Sequence, residues 1–196
     1  SKSFMFSYIY LASQSPRRQE LLKQIGIKFE MLIAEPGEDT ETLEVPLPNE
    51  KAHAYVERVT FAKSAIALAR WQNSGKPWAP ILCADTTVSL PGNPDGEILG
   101  KPNDASDAVR ILKMLSGKVH EVLTAVVLTI DPKTNPLCFI QASEVEFAHL
   151  TEAQIESYIQ SGEPFGKAGA YGIQGLGGAF IPSIKGLSLI HISEPT

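Results

Sequence analysis

Apolar positions along the chain fall into two periods, and the changes between them divide it into strands and helices. In Leu11 to Gly26, LASQSPRRQELLKQIG, Ser15 suits a helix N-cap and Pro16 the first helical position. Leu21, Leu22 and Ile25 then give an inward stripe, and Gly26 a stop. Lys28 to Ala34 (KFEMLIA) reads as a strand, followed by an acidic, proline-punctuated loop from Glu35 to Pro48 that contains Glu38, Asp39, Glu41 and Glu44. From Asn49 to Arg70 the residues Ala52, Val56, Val59, Ile66 and Ala69 recur at helical spacing, with Lys63 on the same stripe. Ile81 to Leu90 (ILCADTTVSL) reads as a strand whose apolar run breaks at Asp85, which places a carboxylate at its C-terminal end. Asp104 and Asp107 open a helix carrying Ala108, Ile111, Leu112 and Leu115, and Gly117 ends it.

The second half of the chain changes character. Val119 to Ile130 and Leu137 to Leu150 flank the turn-rich DPKTNP and read as a long antiparallel hairpin, so the sheet is mixed. Thr151 and Gln154 form a capping box before a short helix bearing Ile155, Tyr158 and Ile159. Residues 162–178, GEPFGKAGAYGIQGLGG, then hold seven glycines, which lets backbone approach a ligand closely, with Lys167, Tyr171 and Gln174 as the functional side chains.

The 196 residues, 43% hydrophobic and 20% charged, suit one domain with one sizeable core. No apolar run reaches the ~18 residues that span a bilayer, and Ser1 to Ala12 lacks a small-residue cleavage site, so a cytoplasmic protein without a membrane anchor is expected. A net charge of -5 argues against bulk electrostatic binding to DNA or RNA. Cys83 and Cys138 lie in strand-like runs and are read as buried free thiols. The histidines His53, His120, His149 and His191 lack zinc-site spacing.

Arg17 and Arg18 fall in the first helical turn, where unpaired N–H groups already carry positive charge, so an anion is expected to neutralise all three. Together with Lys63, Lys101 and Lys167 they provide cations, and Glu38 and Asp85 provide carboxylates. That set suits a polyphosphate with a divalent metal. A solvated basic turn, a snorkelling Lys63 and a turn-capping Asp85 account for the same residues without a ligand. Common phosphate motifs are missing. Gly162 to Ala168 has three residues between its glycines where a P-loop needs four, Ala168 replaces the metal-binding Ser or Thr, and no GxGxxG or GxSxG occurs.

Six blocks, ASQSPRRQELL (12–22), FAKSA (61–65), ADTTV (84–88), LGKP (99–102), LSGKVHEVLTAV (115–126) and SGEPFGKAGAYGIQG (161–175), together resemble the Maf nucleoside triphosphate pyrophosphatases. The resemblance covers residues 8 to 186. It implies an α/β fold of the Maf/ITPase-like kind, a mixed, strongly twisted sheet flanked by helices with a central nucleotide-binding cleft. It further implies hydrolysis of a nucleoside triphosphate to the monophosphate and pyrophosphate with Mg²⁺ or Mn²⁺. By motif position Asp85 matches the proton acceptor, with a metal-ligand role as the alternative. Arg17, Thr86 and Gln174 match the specificity residues of the dTTP/UTP branch, and Ser13, Arg18, Lys63 and Lys101 match further cleft positions. Glu38, chosen over Asp39, is assigned to the family's acidic position after the second strand, as a metal ligand beside Asp85.

The resemblance implies housekeeping of the nucleotide pool, extending to modified pyrimidine nucleotides, by a homodimer that binds neither nucleic acid nor membrane. A nucleotide-binding regulator without turnover is the alternative. One departure stands out. The domain is expected over residues 1–186, and the tail LSLIHISEPT (187–196), where family members continue into a last strand and helix, is read as non-native or frameshifted sequence.

Overall fold

The computed structural model describes residues 6–38, 41–94 and 96–193. Strands β1 (Ile9–Leu11), β2 (Phe29–Met31) and β3 (Ile81–Ser89) run parallel, and their crossovers are the helices α1 (Pro16–Gln24) and α2 (Ala52–Ser74). The short β4 (Ile98–Leu99) returns antiparallel to β3, and α3 (Ala105–Leu115) leads to β5 (Val119–Thr129) and β6 (Leu137–Glu146). Helix α4 (Glu152–Gln160), two 3-10 turns and β7 (Ser183–Ser193) complete the chain. The result is one mixed seven-stranded sheet, in the order β2-β1-β3-β5-β6-β7 with β4 beside β3. Among the described residues, no helix is long and apolar enough to cross a membrane.

Local chemistry explains most boundaries. Ser15 Oγ accepts the Arg18 N–H with Pro16 opening α1, Asp104 caps α3 through the Asp107 N–H, and Thr151 and Gln154 form a reciprocal capping box on α4. Several expectations need correction. In α1 the buried residue is Leu22, while Leu21 and Ile25 are 41% and 67% exposed, because the helix has little more than two turns and Ile25 is its cap. Strand β2 is shorter than Lys28 to Ala34, pairing with β1 only over Phe29–Met31. Strand β6 ends at Glu146 rather than Leu150: the Phe147 N–H still reaches the facing Lys118 carbonyl, but the Ala148 N–H turns away from β5 and donates to Phe180. The buried face of α2 runs through Thr60 and Ser64, not Ile66 and Ala69. Both hydroxyls are satisfied: Thr60 donates to the Val56 carbonyl at 2.6 Å and Ser64 pairs with Thr129 at 3.2 Å. Residues 183–193 of the C-terminal segment pair along β6 as β7.

Alternation along β5 distributes the core to both sides of the sheet. Leu123, Ala125 and Val127 pack with Cys138 and Ile140 under Ala52 and Val56 of α2. Val122 and Val145 face the other way, toward Ile111, Leu112 and Leu115 of α3, Ile155 and Tyr158 of α4, and Tyr171. Full burial of each large side chain stabilises the fold by roughly 1.5–3 kcal/mol. The sheet also leaves an opening. Strand β5 covers one edge of β3 from Ile81 to Ser89, but on the other edge β1 pairs only at Ile81 and Leu82 and β4 only at Val88 and Ser89. Between them, Asp85 to Thr87 meet no strand on that side among the described residues. Asp85 therefore sits in the middle of β3 and not at its C-terminal end.

Candidate active site

The gap between β1 and β4 opens onto a cavity of about 480 Å³ whose walls include Glu44, Tyr55, Asp85, Thr86, Thr87 and Lys101. That volume falls in the usual range for small-molecule sites, roughly 300–1,000 Å³. Strand alternation turns Asp85 toward α2 and Thr86 toward the opposite side, so one dipeptide serves both walls.

On the α2 side, Lys63 links two carboxylates. Its Nζ lies 2.7 Å from Glu44 Oε1 and 3.3 Å from Asp85 Oδ2, and Lys101 Nζ approaches Glu44 Oε2 at 3.1 Å. The Thr86 N–H donates to Asp85 Oδ1 at 2.9 Å, which fixes the carboxylate plane. Burial works to lower the Lys63 ammonium, but the charges and hydrogen bonds of Asp85 and Glu44 outweigh it and raise it. Burial likewise works to raise the Glu44 carboxyl, yet Lys63 and Lys101 hold it below the ordinary value. Lys63 and Glu44 are both charged near neutral pH. Tyr55 stays neutral, its hydroxyl pushed up to about 12 by burial and by the charges of Asp85 and Glu44.

On the α1 side, Arg18 Nη1 donates to Ser13 Oγ at 3.2 Å and Nη2 to Thr86 Oγ1 at 3.5 Å. Thr86 Oγ1 and Thr124 Oγ1 share a bond of 3.0 Å across the β3–β5 pair. Burial pulls the guanidinium below its ordinary value, opposed by the charge of Asp85. Two cationic walls thus flank one carboxylate.

Of the residues expected at the site, Ser13, Arg18, Lys63, Asp85, Thr86 and Lys101 converge here. Arg17 lies exposed on the first turn of α1, and Gln174 is exposed on the glycine-rich turn. Lys167 donates to the Glu163 carbonyl at 2.8 Å, and Tyr171 is buried with its hydroxyl 2.6 Å from His120 Nε2. Burial holds His120 neutral, down to about 4.

Glu38, expected as a metal ligand beside Asp85, has another partner. Its carboxylate pairs with Arg70, whose Nε and Nη2 donate at 3.2 and 2.5 Å, and Nη1 of the same guanidinium donates to the Leu32 carbonyl at 2.7 Å. The Arg70 hydrogen bond lowers the Glu38 carboxyl, and through Arg70 the acid is tied to Leu32 at the end of β2. The carboxylate joined to Asp85 through Lys63 is that of Glu44, and Asp39 lies outside the described residues. Lys63 was the signal for Glu44: an inward lysine in α2 needs a carboxylate within reach. Tyr55 and Thr124 carried no comparable signal, since an aromatic on a helix stripe and a threonine in a strand look like core.

Among the described residues, no group of three or more His, Cys, Asp or Glu side chains is placed to hold a metal. Glu44 and Asp85 are nevertheless suited to a hard divalent cation. Mg²⁺ typically takes one or two carboxylates and completes its shell with water and substrate phosphates.

Residues 8–188 match the family described as Maf-like protein. The chain is 54% identical over 183 residues to the dTTP/UTP pyrophosphatase of Burkholderia orbicola, covering 93% of this chain and 85% of that protein. It is 53% identical over 179 residues to the dTTP/UTP pyrophosphatase of Ralstonia nicotianae, covering 91% and 84%. To that of Cupriavidus pinatubonensis it is 50% identical over 182 residues, covering 93% and 88%. With the mixed sheet and the conjunction of SPRR, ADT and LGK around one cleft, this agreement along nearly the whole length means that the chain belongs to the Maf-like protein family.

Proposed function

We propose that this chain is a dTTP/UTP pyrophosphatase that hydrolyses the triphosphate to the monophosphate and pyrophosphate in the gap between β1 and β4. The observation carrying this reading is the placement of Asp85, half-buried, oriented by the Thr86 N–H and Lys63, with Arg18 on one side and Lys63 and Lys101 on the other. The names of its relatives supply the substrate class.

Asp85 takes a proton from water as its oxygen attacks the α-phosphorus. The bond from that phosphorus to the bridging oxygen breaks, and the electron pair leaves with pyrophosphate. Lys63, Lys101 and Arg18 face the charge that grows on the phosphoryl oxygens, and their orientation is set before substrate arrives. Within the cluster, the formal charges of Lys63 and Lys101 balance those of Glu44 and Asp85. A triphosphate therefore brings excess negative charge. A divalent cation held by the oxygens of Glu44 and Asp85 would supply the missing neutralisation and stabilise the leaving pyrophosphate.

Base selection rests on Gln174 and Thr86. The Gln174 amide offers a donor and an acceptor that match the N3–H and O4 edge of uracil or thymine, and Thr86 adds a hydroxyl. Hydrolysis in ¹⁸O-labelled water tests the bond assignment. Attack at the α-phosphorus places the label in the nucleoside monophosphate, detected by mass spectrometry; label in pyrophosphate would move the attack to the β-phosphorus and displace Asp85 from its role.

A further inference from the structure

The glycine-rich turn is folded around one carboxylate. Glu163 Oε1 accepts the Leu176 N–H at 2.9 Å, while Oε2 accepts the Gly177 N–H at 2.8 Å and the Tyr158 hydroxyl. Tyr158 Oη in turn accepts the Gly172 N–H at 3.1 Å. Both ends of the turn 172–177 are thereby tied to a single acid and its phenol partner, and Gln174 forms the crown between them.

The glycines make room for this clamp. A Cβ at Gly175 would stand 1.7 Å from Glu163 Oε1, and one at Gly177 would stand 2.7 Å from Tyr158 Oη. The sequence suggested backbone approaching a ligand; the approach seen is to Glu163 and Tyr158. Burial works to raise the Glu163 carboxyl, but the Tyr158 hydroxyl and the two N–H groups outweigh it and keep the group ionised at neutral pH. Charge-assisted bonds of this kind are about twice as strong as neutral ones. The clamp is also continuous with the cleft, because Gly166 and Ala168 line it and the Gly169 N–H donates to the Gly100 carbonyl at 3.1 Å.

We propose that Glu163 is a positioning residue for base recognition, its carboxylate holding the turn 172–177 so that Gln174 is carried on a rigid crown; this rests on the reading that Gln174 meets the pyrimidine edge. Glu163 touches no reacting atom. Its effect passes through Gln174, which separates it from a residue that merely supports the fold.

The test is a double-variant cycle on the full chain, with steady-state kinetics on dTTP. Glu163→Gln is expected to raise KM about tenfold with kcat changed less than about twofold, the pattern of lost ground-state binding. In a Gln174→Ala background the same change is expected to leave KM where Gln174→Ala alone puts it. Tyr158→Phe removes both bonds of its hydroxyl, to Glu163 and from the Gly172 N–H, while keeping its ring against Phe180. It should raise KM in the same direction by about threefold and carries the test if Glu163→Gln does not fold. Effects that add fully in the Gln174→Ala background, or an unchanged KM in the folded single variants, would overturn the proposal. A parent chain that hydrolyses no dTTP would overturn the pyrophosphatase reading along with it, whereas an active parent with additive variants overturns this inference alone.

Discussion

Asp85→Asn is expected to slow pyrophosphate release from dTTP and UTP by about 10²–10⁴-fold, the usual contribution of a positioned general base. The amide keeps the size of the side chain but accepts no proton and binds a hard cation poorly. The fold should survive, because Lys63 keeps its 2.7 Å partner Glu44 and Asp85 belongs to none of the hydrophobic clusters. A thermal midpoint within a few degrees of the parent, measured beside the rate, separates lost chemistry from lost structure. Near-parent turnover by the folded variant would remove Asp85 from the mechanism.

The two loop acids should behave in opposite ways. Glu44→Gln removes the charge that Lys63 and Lys101 share and one of the two carboxylates available to a cation, so activity is expected to fall by at least about 10²-fold. Its dependence on Mg²⁺ concentration should shift to higher values. Glu38→Gln breaks the two-pronged pairing with the largely buried Arg70 and is expected to cost about 1–3 kcal/mol of stability with kcat nearly unchanged. Chemical denaturation and steady-state rates on both variants decide the matter. Loss of activity in Glu38→Gln with Glu44→Gln active would restore the assignment suggested by sequence.

The contrast between these two acids bears on where the sequence was legible. The helix starts at Ser15, Asp104 and Thr151 were readable because an N-cap is a local contract between a side chain and an N–H two or three residues on. The β5–β6 hairpin was readable from period and turn chemistry. Glu38 and Glu44 lie in the same acidic loop, where no period constrains direction, and only the positions of Arg70 and Lys63 on α2 decide which acid goes where. Asp85 was found for a partly mistaken reason. Its exposure comes from the short pairing of β1 and β4 along one edge of β3, a property of neighbours far away in sequence. Three of the six glycines from Gly166 to Gly178 are likewise intelligible only once Glu163 is seen to fill the space a Cβ would take at Gly175, Tyr158 at Gly177 and Val88 at Gly169.

The most direct measurement is pyrophosphate release by the purified chain across dTTP, UTP, CTP, ATP and 7-methyl-GTP, with Mg²⁺ and with Mn²⁺. The predicted result is metal-dependent release with dTTP and UTP ahead of both purines, because a site built on hydrogen bonds to the pyrimidine edge rejects larger bases by bulk and by unpaired polar groups. Preference for ATP or 7-methyl-GTP would contradict the account, and so would binding of dTTP without release of pyrophosphate.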